Sequence, residues 1–289
     1  MDLNSEIISN VAKSLSEDIG AYDLTSLLIK SEASAAATII CREKAILCGT
    51  QWVETCFQQL SPQTEIRWFA EEGDVISAGQ KLCKIKGNAR SLLTAERSAL
   101  NFLQTLSAIA TQTRSYVNEV LGTGALIVDT RKTLPGLRLA QKYAVKCGGG
   151  VNHRLGLYDG ILIKENHIIS AGDIEQALKA AKKIAPEDLI IQIEVETRDE
   201  LFKALNAGAG MILLDNFNLD DLNYAVALTA DLTNKKTTLE ASGGITLDNV
   251  RKIAETGVDR ISIGSITKNV RAIDFSMNFI KKLESCSHD

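Results

Sequence analysis

From residue 120 onward the chain alternates short apolar runs with longer segments of helical spacing. This alternation is typical of strand–helix units, whose repetition predicts a parallel sheet. The predicted strands are Ala125–Val128, Gly160–Ile163, Leu189–Val195, Met211–Leu214, Thr238–Leu239 and Arg260–Ile263. The predicted helices are Asp173–Ile184, Asp199–Asn206, Leu219–Leu228, Leu247–Thr256 and Ile273–Leu283. We expect an α/β fold built as an incomplete parallel α/β barrel, with an open doubly wound sheet as the alternative.

The first third of the chain has a different, α+β pattern. Helical spacing covers residues 4–18 and Thr50–Leu60, and strand-like runs occur at Ala35–Cys41, Ala45–Cys48 and Glu65–Phe69. No glycine or proline interrupts residues 89–120, where leucines recur on one face, so this segment is expected to form one long helix. We therefore predict an N-terminal α+β domain, residues 1–118, followed by a barrel domain, residues 119–289, whose C-terminal helix can pack back on the first domain.

Composition limits the classes of function. The chain has 289 residues, of which 45% are hydrophobic and 24% charged, with a net charge of −4, so a nucleic-acid partner is not expected. No apolar run is long enough for a membrane helix, and the start lacks the basic-then-apolar pattern of a secretory signal. Six cysteines without a CxxC pair, and only three histidines, argue against a zinc site and favour reduced thiols in the cytoplasm.

Nearly every predicted strand of the barrel ends in charged or polar residues. Because the active site of a parallel barrel lies at the carboxyl ends of its strands, these residues should share one opening. They are Asp129, Arg131, Lys132, Lys164, Glu194, Asp215, Ser242 and Gly243, with Gly264 and Lys268 after the last strand. The two glycine-rich ends, in ASGGI and SIGSIT, predict a phosphate site made of backbone amides.

Clustered cations at this opening indicate an anionic substrate. Arg131, Lys132 and Lys164, with His153 and Arg154 from the loop YAVKCGGGVNHRLGL, would repel one another unless an anion lies among them. On composition alone, that glycine-rich loop could equally be a plain connector. Glu194 and Asp215 could hold Mg²⁺ or the hydroxyls of a sugar, or could simply pair with the lysines.

These motifs resemble those of the quinolinate phosphoribosyltransferase family. The resemblance rests on DTRKTLPGLRLAQKYAVKCGGGVNHRLGLYDGILIKENH and on AERSALNFLQTLSAIAT, LLDNF, EASGGI and ISIGSIT, and it covers nearly the whole chain. It departs at AYDLTS, where the family has a glycine before the aspartate, and this puts only a surface turn in doubt.

The resemblance implies an enzyme that uses quinolinate and phosphoribosyl pyrophosphate with Mg²⁺ in NAD biosynthesis. It implies a sandwich-like N-terminal domain and a homodimer in which Arg97 of one subunit completes the other subunit's site. Without a partner, Arg97 could simply keep its charged end in water. The implied quinolinate-binding residues are Arg97, Arg131, His153, Arg154 and Lys164. The implied catalytic residues are Lys132, Glu194 and Asp215, of which Glu194 and Asp215 also bind the metal. Ser242, Gly243, Gly264 and Lys268 would bind phosphate.

Three other functions fit parts of the sequence. One is a related transferase acting on nicotinate, or a relative placed with molybdate transport. The segment EEGDVISAGQKLCKIKG resembles the hairpins of biotinyl and lipoyl carriers, although Lys81 would begin a strand rather than lie at a hairpin tip. The third is a barrel that binds phosphosugars without catalysing transfer.

Overall fold

A computed structural model describes residues 2–280 of the chain. The helices are α1 (Leu3–Ile19), α2 (Thr50–Leu60), α3 (Ala89–Glu119), α4 (Arg138–Cys147), α5 (Glu165–Ala171), α6 (Ile174–Ile184), α7 (Arg198–Asn206), α8 (Leu219–Thr233), α9 (Leu247–Glu255) and α10 (Ser265–Lys268), with a 3-10 turn at Thr25–Leu28. The strands are β1 (Ser34–Cys41), β2 (Ala45–Ile46), β3 (Glu65–Trp68), β4 (Val75–Ile76), β5 (Lys81–Asn88), β6 (Leu126–Val128), β7 (Ile161–Ile163), β8 (Ile191–Val195), β9 (Met211–Asp215), β10 (Thr238–Ser242), β11 (Arg260–Ser262) and β12 (Phe275–Phe279).

Contacts divide the chain into two compact units. The first contains residues up to Thr111, Pro135–Gly148 and the residues from Asn269 onward, and the second contains Gln112–Leu134 and Gly149–Lys268. The predicted domain bounds, 1–118 and 119–289, stay a prediction. In the part of the chain that the structure describes, no helix combines the length and apolar character needed to cross a membrane.

The first unit contains an antiparallel sheet with the strand order β12-β1-β5-β3 and a small β2–β4 pair. Helix α1 buries Ile7, Val11 and Leu15, which recur at helical spacing, and it contacts α2 and α4. The helices and strands predicted for the first third of the chain are thus confirmed. Helix α4 was not predicted, because the glycines that follow it dominate the local pattern.

Helix α3 confirms the long helix expected over residues 89–120. Leu100, Leu103, Leu106 and Ile109 are buried along one face, as their spacing predicts. Arg97 lies on the same helix and is exposed. A cation therefore lies in solvent beside an apolar face within the first unit.

The helix predicted over Ile273–Leu283 is wrong for the described residues. Phe275–Phe279 form β12, which pairs with β1 in antiparallel register, with Met277 opposite Ile39. The physical reason is a two-residue alternation, in which Phe275 and Met277 are buried and the polar residues between and after them are not. Residues 281–283 of the prediction lie outside the described residues.

The second unit is built on a six-stranded parallel sheet with the order β6-β11-β10-β9-β8-β7. All six predicted strands are confirmed. Within the described residues β6 and β7 do not pair with each other, so the barrel is not closed. Five strands in sequence order plus β6 beside β11 place the carboxyl ends of all six at the same edge.

Side-chain caps mark the starts of α6, α7 and α8 in the second unit. Thr197 accepts the N–H of Glu200 at 3.2 Å and Glu200 accepts the N–H of Thr197 at 3.2 Å, which is a capping box at the start of α7. Asp173 and Asn218 cap α6 and α8 in the same way, through side-chain oxygens that accept backbone N–H groups. Because α7 and α8 begin a few residues after β8 and β9, the residues that end these strands remain at the edge of the sheet.

Candidate active site

The strand ends of the second unit enclose a cavity of about 200 Å³. Its walls come from all six strands or from the residues directly after them. The lining residues are Thr130, Arg131, Lys132, His153, Arg154, Leu162, Lys164, Glu194, Leu213, Asp215, Glu240, Ser242 and Ser262. The structure thus brings together eight of the residues that the sequence singled out.

Carboxylates form one side of the cavity. Glu194 and Asp215 lie on the neighbouring strands β8 and β9, and with Glu196 they form a group whose ligand atoms all lie within 4.8 Å of one another. Desolvation, followed by repulsion from Glu194, raises the pKa of the Asp215 carboxyl, although Lys164 and Lys132 oppose the shift. A bound cation would therefore stabilise this group of carboxylates.

Lys164 connects the cations of the cavity with its carboxylates. It follows β7, and its Nζ donates to Glu194 Oε2 at 2.6 Å. Half of the Lys164 side chain remains exposed, at 50%, so the ion pair can rearrange when an anion enters. Glu194 therefore pairs with a lysine, which is one of the alternatives that the sequence left open. It also lies within the cluster of acids.

Arginines also line the cavity. Arg154 donates from Nη1 to the carbonyl of Gly160 at 3.0 Å, and Asp159 holds the same loop by accepting the N–H groups of Leu155 and Gly156. Burial, followed by repulsion from Arg131, lowers the pKa of the Arg154 guanidinium. The Nε of Arg131 is buried without a hydrogen-bond partner among the described residues. Two neighbouring guanidinium groups with unused donors form a site for an anion.

His153 lies deeper and is held by the protein. Its Nδ1 accepts the N–H of Arg154 at 2.7 Å, and its Nε2 lies 2.8 Å from Gln192 Oε1. His153 therefore connects the backbone of Arg154 to the side chain of Gln192. Its place among the cations of the site stays a prediction.

A layer of buried polar residues supports the cavity, and of these Glu240 had no role assigned from the sequence. Glu240 is fully buried, with one oxygen 3.6 Å from His153 Nε2 and the other 3.2 Å from Arg260 Nε. Asp129 is also fully buried and accepts the N–H of His153 at 2.8 Å. The missed signal was strand length, because β10 continues to Ser242 and places Glu240 and Ser242 on the same face.

The glycine-rich ends make close approaches that a side chain would prevent. Gly243 has φ +98°, and a Cβ there would lie 2.1 Å from Asn216 Oδ1. At Gly264 a Cβ would lie 3.0 Å from Lys132 Cδ. Neither glycine lines the cavity itself, but Gly243 follows Ser242 directly and Gly264 contacts the Lys132 side chain.

Besides the two glycines, two further predicted site residues lie outside the described cavity lining. Lys268 is exposed at the end of the short helix α10, and Arg97 is exposed on α3 in the first unit. Arg97 was assigned from the family resemblance, and Lys268 from its place after the last strand together with the resemblance. Both assignments stay predictions.

Comparison with known proteins agrees with this arrangement. Residues 109–278 match the quinolinate phosphoribosyl transferase C-terminal domain, and residues 23–107 match the N-terminal domain. A probable carboxylating nicotinate-nucleotide pyrophosphorylase of Bacillus subtilis is 42% identical over 269 residues, which cover 93% of this chain and 92% of that protein. The carboxylating nicotinate-nucleotide pyrophosphorylase of Mycobacterium leprae is 38% identical over 272 residues, 93% of this chain and 95% of that one.

The fold has a solved counterpart of similar sequence. The structure of the nicotinate-nucleotide pyrophosphorylase from Francisella tularensis superimposes with a TM-score of 0.91 at 43% identity, covering 96% of this chain and 97% of that one. Both family domains, their order and the strand-end residues are therefore present in one chain. This protein belongs to the quinolinate phosphoribosyltransferase family.

Proposed function

We infer that the chain is a carboxylating nicotinate-nucleotide pyrophosphorylase, a pentosyltransferase of NAD biosynthesis. It transfers the phosphoribosyl group of phosphoribosyl pyrophosphate to quinolinate and releases nicotinate mononucleotide, pyrophosphate and carbon dioxide. The observation that carries this function is one cavity lined by neighbouring arginines, by lysines and by a cluster of carboxylates. Relatives of the same name cover over nine-tenths of the chain.

The arginine side of the cavity suits quinolinate. Arg131 has an unused buried donor, and Arg154 carries a charge that its neighbour disfavours, so both gain from a carboxylate. Guanidinium groups bind planar carboxylates through paired N–H donors. We assign the two carboxylates of quinolinate to Arg131, Arg154 and Lys164, with His153 fixing the backbone of Arg154.

The first chemical step is displacement at the ribose. The ring nitrogen of quinolinate bonds to the anomeric carbon while the pyrophosphate leaves with the electron pair of the carbon–oxygen bond. Positive charge develops on the ribose, and Glu194 and Asp215 stabilise it from the acidic side of the cavity. We assign Lys132, whose side chain contacts Gly264, to the oxygen of the leaving pyrophosphate.

The second step is decarboxylation. Bonding makes the ring nitrogen cationic, so the ring accepts the electron pair when the adjacent carboxylate leaves as carbon dioxide. The pair at that ring carbon then takes a proton. The cations that hold the remaining carboxylate keep the ring in place, and this chain needs no covalent intermediate for either step.

The acidic group fits Mg²⁺, which we propose as the cofactor. Carboxylate oxygens are its preferred protein ligands, and Glu194, Glu196 and Asp215 offer three within 4.8 Å of one another. Glu194 and Asp215 are the proposed ligands. Burial, followed by repulsion from Glu194, raises the pKa of Asp215, and a cation would offset both effects. When bound, Mg²⁺ would neutralise part of the charge of the pyrophosphate group.

The glycine-rich ends of β10 and β11 suit the 5′-phosphate. The backbone at Gly243 and Gly264 can approach a ligand closely because neither has a side chain, and Ser242 can donate its hydroxyl. Lys268, which is exposed, is proposed to add charge to the same phosphate. We also propose a cytoplasmic location, because Cys41, Cys56 and Cys83 are buried thiols without a disulfide.

A nicotinate-specific transferase remains the nearest alternative, and one assay separates the two. We expect purified chain given quinolinate, phosphoribosyl pyrophosphate and Mg²⁺ to release carbon dioxide and pyrophosphate in equal amounts, with no turnover of nicotinate. Asp215→Asn should abolish release, whereas Arg198→Lys, on an exposed ion pair with Asp221, should not change it. Turnover of nicotinate alone, or phosphosugar binding without turnover, would contradict the assignment.

The acidic group should also show its coupling by titration. Glu194 raises the pKa of Asp215, so Glu194→Gln should lower that pKa and keep Asp215 ionised to a more acidic pH. Carbon-13 NMR of labelled aspartate carboxyls measures this directly, with Asp215→Asn identifying the signal. The exposed Glu187→Gln is the control and should leave the titration unchanged. An unchanged Asp215 titration in Glu194→Gln would show that the two carboxylates are not coupled.

A homodimer with shared sites is proposed on the position of Arg97, an exposed cation beside the apolar face of α3. If Arg97 acts in the partner's site, Arg97→Ala and Arg131→Ala should each be inactive alone. Mixed and refolded together, they should recover about a quarter of wild-type activity, because half of the random dimers carry one intact site. Recovery absent despite hybrid dimers in native mass spectrometry would show that Arg97 does not act across subunits.

A further inference from the structure

Two thiols and a carboxylate meet inside the first unit. Cys48, Glu72 and Cys147 each place one ligand atom within 4.8 Å of the others. Glu72 Oε2 lies 3.7 Å from Cys147 Sγ, and the two thiols hydrogen-bond to each other. Cys48 is fully buried, and the other two are half-buried. The substrate chemistry described above uses none of these residues.

The three groups are held in place by their own supports. The N–H of Cys48 donates to Ser107 Oγ at 3.0 Å, and that hydroxyl donates back to the Cys48 carbonyl at 3.1 Å. Glu72 Oε1 accepts the N–H groups of Gly49 and Thr50 at 2.8 and 2.6 Å, which fixes its carboxylate at the start of α2. Cys147 is the last residue of α4. Ligands on separate rigid elements form a prearranged set.

The carboxylate of the cluster already interacts with one thiol. Cys147 Sγ donates to Glu72 Oε2 at 3.7 Å, and Glu72 forms no ion pair with a cation among the residues described. A divalent ion could take the place of the thiol proton and give the carboxylate a positive partner.

We propose that Cys48, Glu72 and Cys147 form a binding site for a thiophilic divalent metal ion, with Zn²⁺ as the ion that fits best. Metal–sulfur bonds of about 2.3 Å and metal–oxygen bonds of about 2.0–2.2 Å, at tetrahedral angles, set sulfur and oxygen roughly 3.5 Å apart. The observed 3.7 Å between Glu72 Oε2 and Cys147 Sγ matches that separation. Two sulfur ligands select zinc over magnesium.

A bound metal ion accounts for the position of the Glu72 carboxylate beside the two thiols better than a disulfide does. Disulfide formation needs a thiolate, and a neighbouring carboxylate opposes the negative charge on sulfur. A bound cation attracts all three ligands and displaces the thiol protons, so its affinity should rise with pH. The site would also add stability to the first unit, because the ion joins the segment before α2, the turn before β4 and the end of α4.

Titration of the reduced, metal-free full chain with Co²⁺ tests the proposal. Cobalt bound to thiolates gives an intense sulfur-to-metal absorption band, which a site made only of carboxylates cannot give. We expect this band to saturate at a single equivalent and to disappear on addition of Zn²⁺. Zn²⁺ should also raise the melting temperature.

Variants identify the residues that give the cobalt absorption band. Cys48→Ala and Cys147→Ala should lose it, and Glu72→Gln, which keeps an oxygen at the start of α2, should require more Co²⁺ to reach it. Cys56→Ala is the matched control, because Cys56 is equally buried and lies outside the cluster. Circular dichroism confirms that each variant is folded. Absence of the band in the wild-type chain would overturn the proposal. So would equal loss in Cys56→Ala, or a Cys48–Cys147 disulfide in a chain that binds no Co²⁺ when reduced.

Discussion

Like charges held close together on a rigid sheet edge are the constraint on which this molecule depends. Arg131 and Arg154 repel each other in the lining of a cavity of about 200 Å³, and Glu194 and Asp215 repel each other in the same lining. The acids are held on the neighbouring strands β8 and β9, and Arg154 is held in its loop by the carbonyl of Gly160. The repulsion falls when a dianion enters between the arginines and a cation enters between the acids, so the empty site is arranged for charged ligands.

Buried polar contacts keep that arrangement from collapsing. Asp129 and Glu240 are fully buried under the cavity, and both contact the residue that orients Arg154, which is His153. A buried carboxylate is costly unless it is paired, and Arg260 at 3.2 Å from Glu240 supplies part of that pairing. These buried residues therefore act on the geometry of the site more than on binding, because they fix where the guanidinium of Arg154 lies.

Local pattern was enough for the strands and most helices, because each predicted strand had a clear apolar run and each helix a distinct spacing. Local pattern failed where contacts between residues far apart in the sequence decide the structure. Phe275–Phe279 became a strand because β1 offered a partner, which no local window contains. Glu240 was expected after the strand and had no assigned role, because the end of β10 was placed at Leu239 and strand length depends on the pairing with β9. The contacts of His153 with the N–H of Arg154 and with Gln192 depend on how the loop folds onto β8, which no local window contains.

The central claim is that the arginine side of the cavity receives both carboxylates of a pyridine dicarboxylate. A crystal structure of the chain with quinolinate bound tests it most directly. The account predicts the ring inside the cavity, with carboxylate oxygens within about 3.2 Å of nitrogen atoms of Arg131, Arg154 or Lys164. Quinolinate bound elsewhere, or with one carboxylate facing Glu194 and Asp215, would contradict it.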